Sequence, residues 1–441
     1  MTATEREVLL PAGTRLLHIG PHKTGTTALQ AAFHRARESV AAQGVHYAGR
    51  NAQPMGAAYA VTARNPTYAK PTPIGRWKAL VREVDAAGDA RVVISSEGFC
   101  DADEAAIKRI ARDLHRDRLH IVMTLRPLAA ILPSQYQQFV QGGLVMAYDT
   151  WLEAMLADPP RKERSPLFWQ RHRHDELVAR WANVVGIDRV TVIVADDKEP
   201  DAVPRVFERL VGLRPGTLEL EWNSSNRSLT RAEIELVRAL NRAFRSVAMR
   251  PMAQNKVMRL GTTELIKRRP PGKAEPRLET QAWALARAGQ ISREMVDNIA
   301  ASGVRVLGDL EALAVVPAPR PVADGGGAPD RSADPVAGAA WPEIVTAANI
   351  GTLLTSGAAR QVTGGAGAWP DRTANPNAAG SESRPIADPR GADVAVLSTS
   401  ALAGNLRMRA QMVGRRFVRR IRRGIRSGMG RLRRTPSIHS S

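Results

Sequence analysis

The run LLHIGPHKTGTTALQ at residues 16–30 constrains the fold of this chain more than any other stretch. An apolar strand candidate, Leu16 to Ile19, passes into a loop broken by Gly20, Pro21 and Gly25. Helical spacing follows at Leu29, Phe33, Ala36 and Val40. At such a junction the loop amides and the first free N–H groups of the helix point at one spot, where the helix dipole favours negative charge. Lys23, Thr26 and Thr27 add side-chain donors, so the junction is expected to bind phosphate.

From the start to about Leu313 the sequence alternates short apolar runs with amphipathic segments, the pattern of βα units around a mostly parallel sheet. Strands are predicted at Leu16 to Ile19, Val92 to Ser95, Leu119 to Leu125 and Val190 to Val194. Each is short and apolar, as a strand covered on both faces should be. A helix with Ile234, Val237, Leu240 and Phe244 on one side opens with the capping box Thr230, Arg231, Ala232, Glu233. The fold class expected is α/β, a P-loop-like parallel sheet flanked by helices, over residues 1–313.

Residues 314–404 lose all periodicity and turn to Ala, Gly, Pro, Ser and Asp, which reads as a disordered linker. Residues 405–441 regain helical spacing at Val413, Phe417, Ile421 and Ile425 among twelve arginines and no acids, the pattern of a basic amphipathic helix at an anionic membrane surface. Those arginines account for most of the net charge of +20 and leave +8 on the preceding residues, which suits anionic ligands without requiring nucleic acid. Cys100 is the only cysteine, so no intrachain disulfide forms and no cysteine cluster holds a metal. With no signal-peptide pattern and no long apolar run, a cytoplasmic protein is expected, with a peripheral position at the inner membrane face if the tail binds lipid.

A Walker A loop places its lysine after the last glycine, whereas Lys23 precedes Gly25 and two threonines follow. No predicted strand ends in the aspartate that would complete a magnesium site. The segment GPHKTGTTAL resembles the 5'-phosphosulfate loop of the sulfotransferases that use 3'-phosphoadenosine 5'-phosphosulfate (PAPS), most closely in the heparan N-sulfotransferase branch, from which His22 departs where glutamine is usual. Leu125-Arg126-Pro127 followed by Ser134 is similar to that family's second motif. The resemblance implies that Gly20, Lys23, Thr24, Gly25, Thr26 and Thr27 hold the 5'-phosphosulfate. It also implies that Arg126 and Ser134 grip the 3'-phosphate, and that a loop carrying Asn226 and Arg227 returns over the nucleotide or contacts the acceptor. It covers roughly the first 250 residues in element order and only the two motifs residue by residue.

Sulfuryl transfer is an in-line displacement that needs a stabilised leaving phosphate, neutralised sulfuryl oxygens and a proton acceptor. Lys23 suits the first two roles. Glu97, just past a strand end where ligands of parallel sheets collect, is the first choice of base; it also reads as a structural strand-end carboxylate or a substrate contact. His22 is the alternative base, since imidazole titrates near neutral pH. His18 reads as a packed core histidine, and Arg171-His172-Arg173-His174 as a solvated or acceptor-facing basic surface. Met55 to Gly75 is expected to wall the acceptor pocket.

The expected activity is therefore transfer of a sulfuryl group from PAPS to a hydroxyl or amine of a glycan, lipid or small molecule, with 3'-phosphoadenosine 5'-phosphate as product and no metal. Two other readings stand beside it. One is a polyanion- or membrane-binding protein with a non-catalytic P-loop-like domain, and the other is a small-molecule kinase, which the lysine position and the missing magnesium carboxylate disfavour.

Overall fold

The computed structural model describes residues 8–65, 71–158, 166–196, 198–221, 227–246, 250–272 and 275–317. The linker beyond Pro317, the arginine-rich tail and Asn226 lie outside the described residues. Those described fall into two compact units: residues 8–138, 146–228 and 278–317 in the first, and 139–145 with 229–277 in the second.

The first unit is an α/β layer structure. Its elements begin with β1 (Arg15–His18), α1 (Thr26–Arg35), α2 (Arg37–Ala41) and β2 (Val45–Tyr47). They continue with α3 (Met55–Thr62), α4 (Gly75–Ala86), β3 (Arg91–Ser95), α5 (Glu104–Asp113), β4 (Leu119–Leu125) and α6 (Leu128–Gln141), whose last residues belong to the second unit. After α7 (Tyr148–Leu156), α8 (Pro166–His172) and α9 (His174–Val185) come β5 (Val190–Val194) and α10 (Ala202–Val211). The helix α11 (Arg231–Ser246) is in the second unit; α12 (Ala282–Ala301) and β6 (Arg305–Leu307) return to the first.

The six strands pair in the order β2-β3-β1-β4-β5-β6, all parallel. Alternation along each strand sends its apolar side chains to opposite faces. Leu17, Val92, Ile94, Ile121 and Met123 join the core under α3, α4, α5 and α9, while Leu16, Val93, Val122 and Ile193 join the core under α1 and α10. Burial on both faces is why these strands read as unbroken apolar runs. The four predicted strands are present, with β4 and β5 at the predicted bounds. The three-residue strands β2 and β6 were not predicted. The helical spacing from Leu29 to Val40 is divided between α1 and α2, because the backbone leaves helical geometry at Ala36 (φ −80°, ψ 10°).

The order fixes where a ligand belongs. The chain leaves β1 toward β2 on one side of the sheet and leaves β4 toward β5 on the other, so a crevice opens at the carboxyl ends of β1 and β4. Both motifs singled out in the sequence, the loop of residues 19–25 and Arg126-Pro127, lie at those two ends.

In the second unit, α11 buries Ile234, Val237, Leu240 and Phe244 as predicted. The capping box is formed: Thr230 N–H donates to Glu233 Oε2 at 2.9 Å, and Glu233 N–H to Thr230 Oγ1 at 3.3 Å. The fully buried Glu233 carboxylate also accepts from Arg269 Nη2 at 2.8 Å, which offsets the cost of its burial. No helix among the described residues is long and apolar enough to cross a membrane.

Candidate functional site

The loop after β1 is held by hydrogen bonds from beneath. Thr24 Oγ1 donates to the Pro21 carbonyl at 2.7 Å, so its only proton is used there. The 2.8 Å contact between Thr24 Oγ1 and Thr124 Oγ1 must then be donated by Thr124. That leaves Thr124 Oγ1 to accept from His18 Nε2 at 3.2 Å. His18 therefore carries its proton on Nε2, and its Nδ1 accepts from Ser95 Oγ at 2.8 Å. Gln30 Nε2 completes the run by donating to Ser95 Oγ at 3.3 Å and to Glu97 Oε2 at 3.1 Å. One directional chain thus ties α1, β3, β1 and β4 to the loop, and every proton in it has a single place to go. His18 is a packed core histidine as expected; burial pushes its pKa down to about 3, which keeps it neutral. The buried Thr24 hydroxyl is committed to the loop, so this residue offers a ligand its backbone alone.

Above this brace the loop faces outward. Lys23 takes a left-handed conformation (φ 70°), and Gly20 and Gly25 do so at φ 84° and 85°. A Cβ at Gly20 would stand 3.1 Å from Glu97 Cβ, so glycine there lets the turn carrying Glu97 lie against the loop. Nothing stands within 4 Å of the Cβ position at Gly25, which is exposed, as is Thr27; Thr26 is buried. The start of α1 has no side-chain cap and no acid in its first turn, leaving its N-terminal amides to an anion.

Arg126 Nη1 donates to the Lys23 carbonyl at 3.0 Å. This joins the two motifs across the mouth of the crevice. Thr24, Gly25, Ala28, Arg126, Ala195 and Asp196 are among the residues lining a cavity of about 340 Å³ beside it. Ser134 lies half-buried in α6 and is not among the residues lining that cavity. Arg227 is half-buried, with its Nη1 donating to the Ser228 carbonyl at 3.0 Å, and it too does not line the cavity.

The other side of the loop departs from the sequence reading. His22 is half-buried as a residue, but its Nε2 is sealed from solvent and has no hydrogen-bond partner among the described residues. Its pKa is pushed down to about 3, by burial first and then by Arg171 and Lys23. The expectation that it titrates near neutral pH is corrected: it is uncharged across the physiological range and would act as a neutral imidazole.

The Arg171 to His174 segment is not a solvated surface. Arg171 grips Asp101 with Nε and Nη2 both at 2.6 Å, and their side chains are 12% and 4% exposed. His172 and His174 are buried, with His172 Nε2 3.4 Å from Gln135 Oε1. The physical reason lies in helical spacing: His174 falls in line with Leu177, Val178, Trp181 and Val185, the buried stripe of α9. The basic residues around it divert attention from that stripe.

Of the expected acceptor wall, α3 packs at the turn after β3. Ser96 Oγ lies 3.2 Å from Gln53 Oε1 and 3.8 Å from Met55 Sδ. Residues 66–70 are outside the described set. Sequence reasoning missed Asp101, Cys100 and Gln30 as neighbours of the loop. Only the strand-end position of residues 96–101 pointed there.

No family model, no curated protein and no solved structure matches the chain.

Proposed function

We propose that the chain is a PAPS-dependent sulfotransferase with a P-loop-like donor site. The observation that carries this reading is the hydrogen bond from Arg126 Nη1 to the Lys23 carbonyl, which brings the two motifs to one crevice beside the uncapped start of α1. The 5'-phosphosulfate would sit on the amides of Gly25, Thr26 and Thr27, with Lys23 at the bridging oxygen. Arg126 would meet the 3'-phosphate from the cavity wall, its planar fork suiting a phosphate better than a point charge. Ser134 and Arg227 do not line the cavity, which makes them secondary in this reading.

The reaction forms one bond and breaks one. An acceptor hydroxyl or amine attacks sulfur, the bond from sulfur to the 5'-phosphate oxygen breaks, and the electron pair leaves with 3'-phosphoadenosine 5'-phosphate. Lys23 and the loop amides stabilise that departing charge. The acceptor proton goes to Glu97, whose carboxylate is held by Gln30 and whose backbone lies against the loop at Gly20. A glycan, lipid or small-molecule acceptor fits this scheme, and the reading carries with it a cytoplasmic location. A peripheral membrane attachment rests on the arginine-rich tail alone.

Titration calorimetry with 3'-phosphoadenosine 5'-phosphate, ATP and AMP tests the proposal on wild type, Lys23→Ala and Arg126→Ala. The 3'-phosphorylated nucleotide should bind most tightly, and both variants should bind it at least about tenfold more weakly, the loss of one charge-assisted contact. Equal binding of the three nucleotides would overturn the donor assignment.

A further inference from the structure

Beside the donor loop, three side chains remote in sequence bring metal-ligating atoms together. His22, Cys100 and Asp101 each offer one such atom, and these lie within 4.8 Å of one another. The separation of Cys100 Sγ and Asp101 Oδ1 is 3.6 Å. A tetrahedral zinc ion with bonds of about 2.3 Å to sulfur and about 2.0 Å to oxygen sets its sulfur and oxygen ligands about 3.5 Å apart. The pair is therefore spaced as two ligands of one ion would be.

The surroundings suit a bound cation. Cys100 and Asp101 are buried, which removes competing water. The Arg171 fork takes one lone pair from each Asp101 oxygen, the kind of outer contact that orients a ligating carboxylate, while Oδ1 also faces the Cys100 thiol. Arg180 Nη2 donates to the Cys100 carbonyl at 3.2 Å and fixes the backbone that carries the thiol. A thiolate and a carboxylate balance a divalent charge. A cluster without an ion would be a closed ion pair with the thiol donating to Asp101. In either reading His22 Nε2 is sealed from solvent and has no hydrogen-bond partner among the described residues.

We propose that His22, Cys100 and Asp101 form a binding site for a divalent transition-metal ion, zinc by donor type, with three protein ligands and a fourth position open. This goes beyond the sulfotransferase reading and does not rest on it. With the ion bound, the imidazole of His22 is a ligand and Glu97 remains as the base.

The test uses the full chain. Protein produced with zinc in the medium and then desalted should hold about one zinc per chain by emission spectrometry, and Cys100→Ser and His22→Gln should each lose it. Because Cys100 is the only thiol, adding cobalt(II) to zinc-free wild type should give a sulfur-to-cobalt charge-transfer band that Cys100→Ser lacks, with circular dichroism confirming that the variant is folded. Zinc retained by Cys100→Ser, or wild type with neither bound zinc nor a charge-transfer band, would overturn the proposal. Neither result would alter nucleotide binding, so the two readings fail separately.

Discussion

Thr124 donates its hydroxyl proton to Thr24 Oγ1 at 2.8 Å, and this bond fixes the proton of His18 on Nε2. The consequence is that the loop after β1 rests on a proton-ordered chain from Gln30 to the Pro21 carbonyl. Thr124→Val keeps the shape of the side chain but leaves His18 Nε2–H without an acceptor in a buried site. The expected cost is about 1–3 kcal/mol, the penalty for one orphaned buried donor, read as a lower denaturation midpoint with an unchanged slope. Thr124→Ser should restore most of it. Equal stability of the valine variant would mean that His18 takes the other tautomer.

Glu97 sits between two roles that kinetics separates. Glu97→Gln preserves size and the carbonyl that accepts from Gln30, but it removes the proton-accepting charge. If Glu97 is the base, the turnover rate should fall by about 10²–10⁴-fold, the usual worth of a positioned base, while affinity for 3'-phosphoadenosine 5'-phosphate stays within twofold or so. Loss of nucleotide binding with an intact turnover rate would make Glu97 a structural strand-end carboxylate.

How much of this was legible in the sequence depended on whether the signal was local. Strands β4 and β5 are long enough for a doubly buried run to stand out, whereas β2 and β6, at three residues each, cannot be told from loop. The capping box at Thr230 was readable because both partners lie within one helical turn. The strand–loop–helix junction at residues 20–27 was readable for the same reason, but the commitment of the Thr24 hydroxyl to Pro21 and Thr124 was not, since Thr124 comes from a different strand. The burial of His174 was in reach, because it leads a stripe spaced by three and four residues. Asp101, Cys100 and His22 carry no spacing rule, and only the strand order that sets β3 beside β1 joins them.

The Asp101–Arg171 pair is nearly sealed, and its geometry decides what its removal does. Arg171→Leu leaves a buried carboxylate without its counter-charge and should destabilise chelator-treated protein by about 3–5 kcal/mol. Pairing it with Asp101→Leu removes the stranded charge, so the double variant should be more stable than Arg171→Leu alone. Additive losses in a denaturant-based double-mutant cycle would show that the two side chains contribute separately.

Acid should unfold this protein early, through imidazoles far from the loop after β1 as well as near it. Burial pushes His18 down to about 3, and His120 and His174 down to about 4, from an ordinary value of 6.5. The unfolded chain therefore takes up protons below pH 6.5 that the folded chain refuses until about pH 3–4. Stability is fully present above pH 6.5 and falls as the pH drops through the window from 6.5 to about 4. Each imidazole contributes a slope of about 1.4 kcal/mol per pH unit, so three together are enough to exhaust a typical domain stability within a few units. Thermal melts between pH 8 and pH 4 should show a flat region and then a steep decline beginning near pH 6.5. His120→Asn, which leaves a polar group to face Thr191, should make that decline shallower by about one imidazole's share. A melting temperature that stays level down to pH 4.5 would mean that these histidines are already protonated in the folded protein.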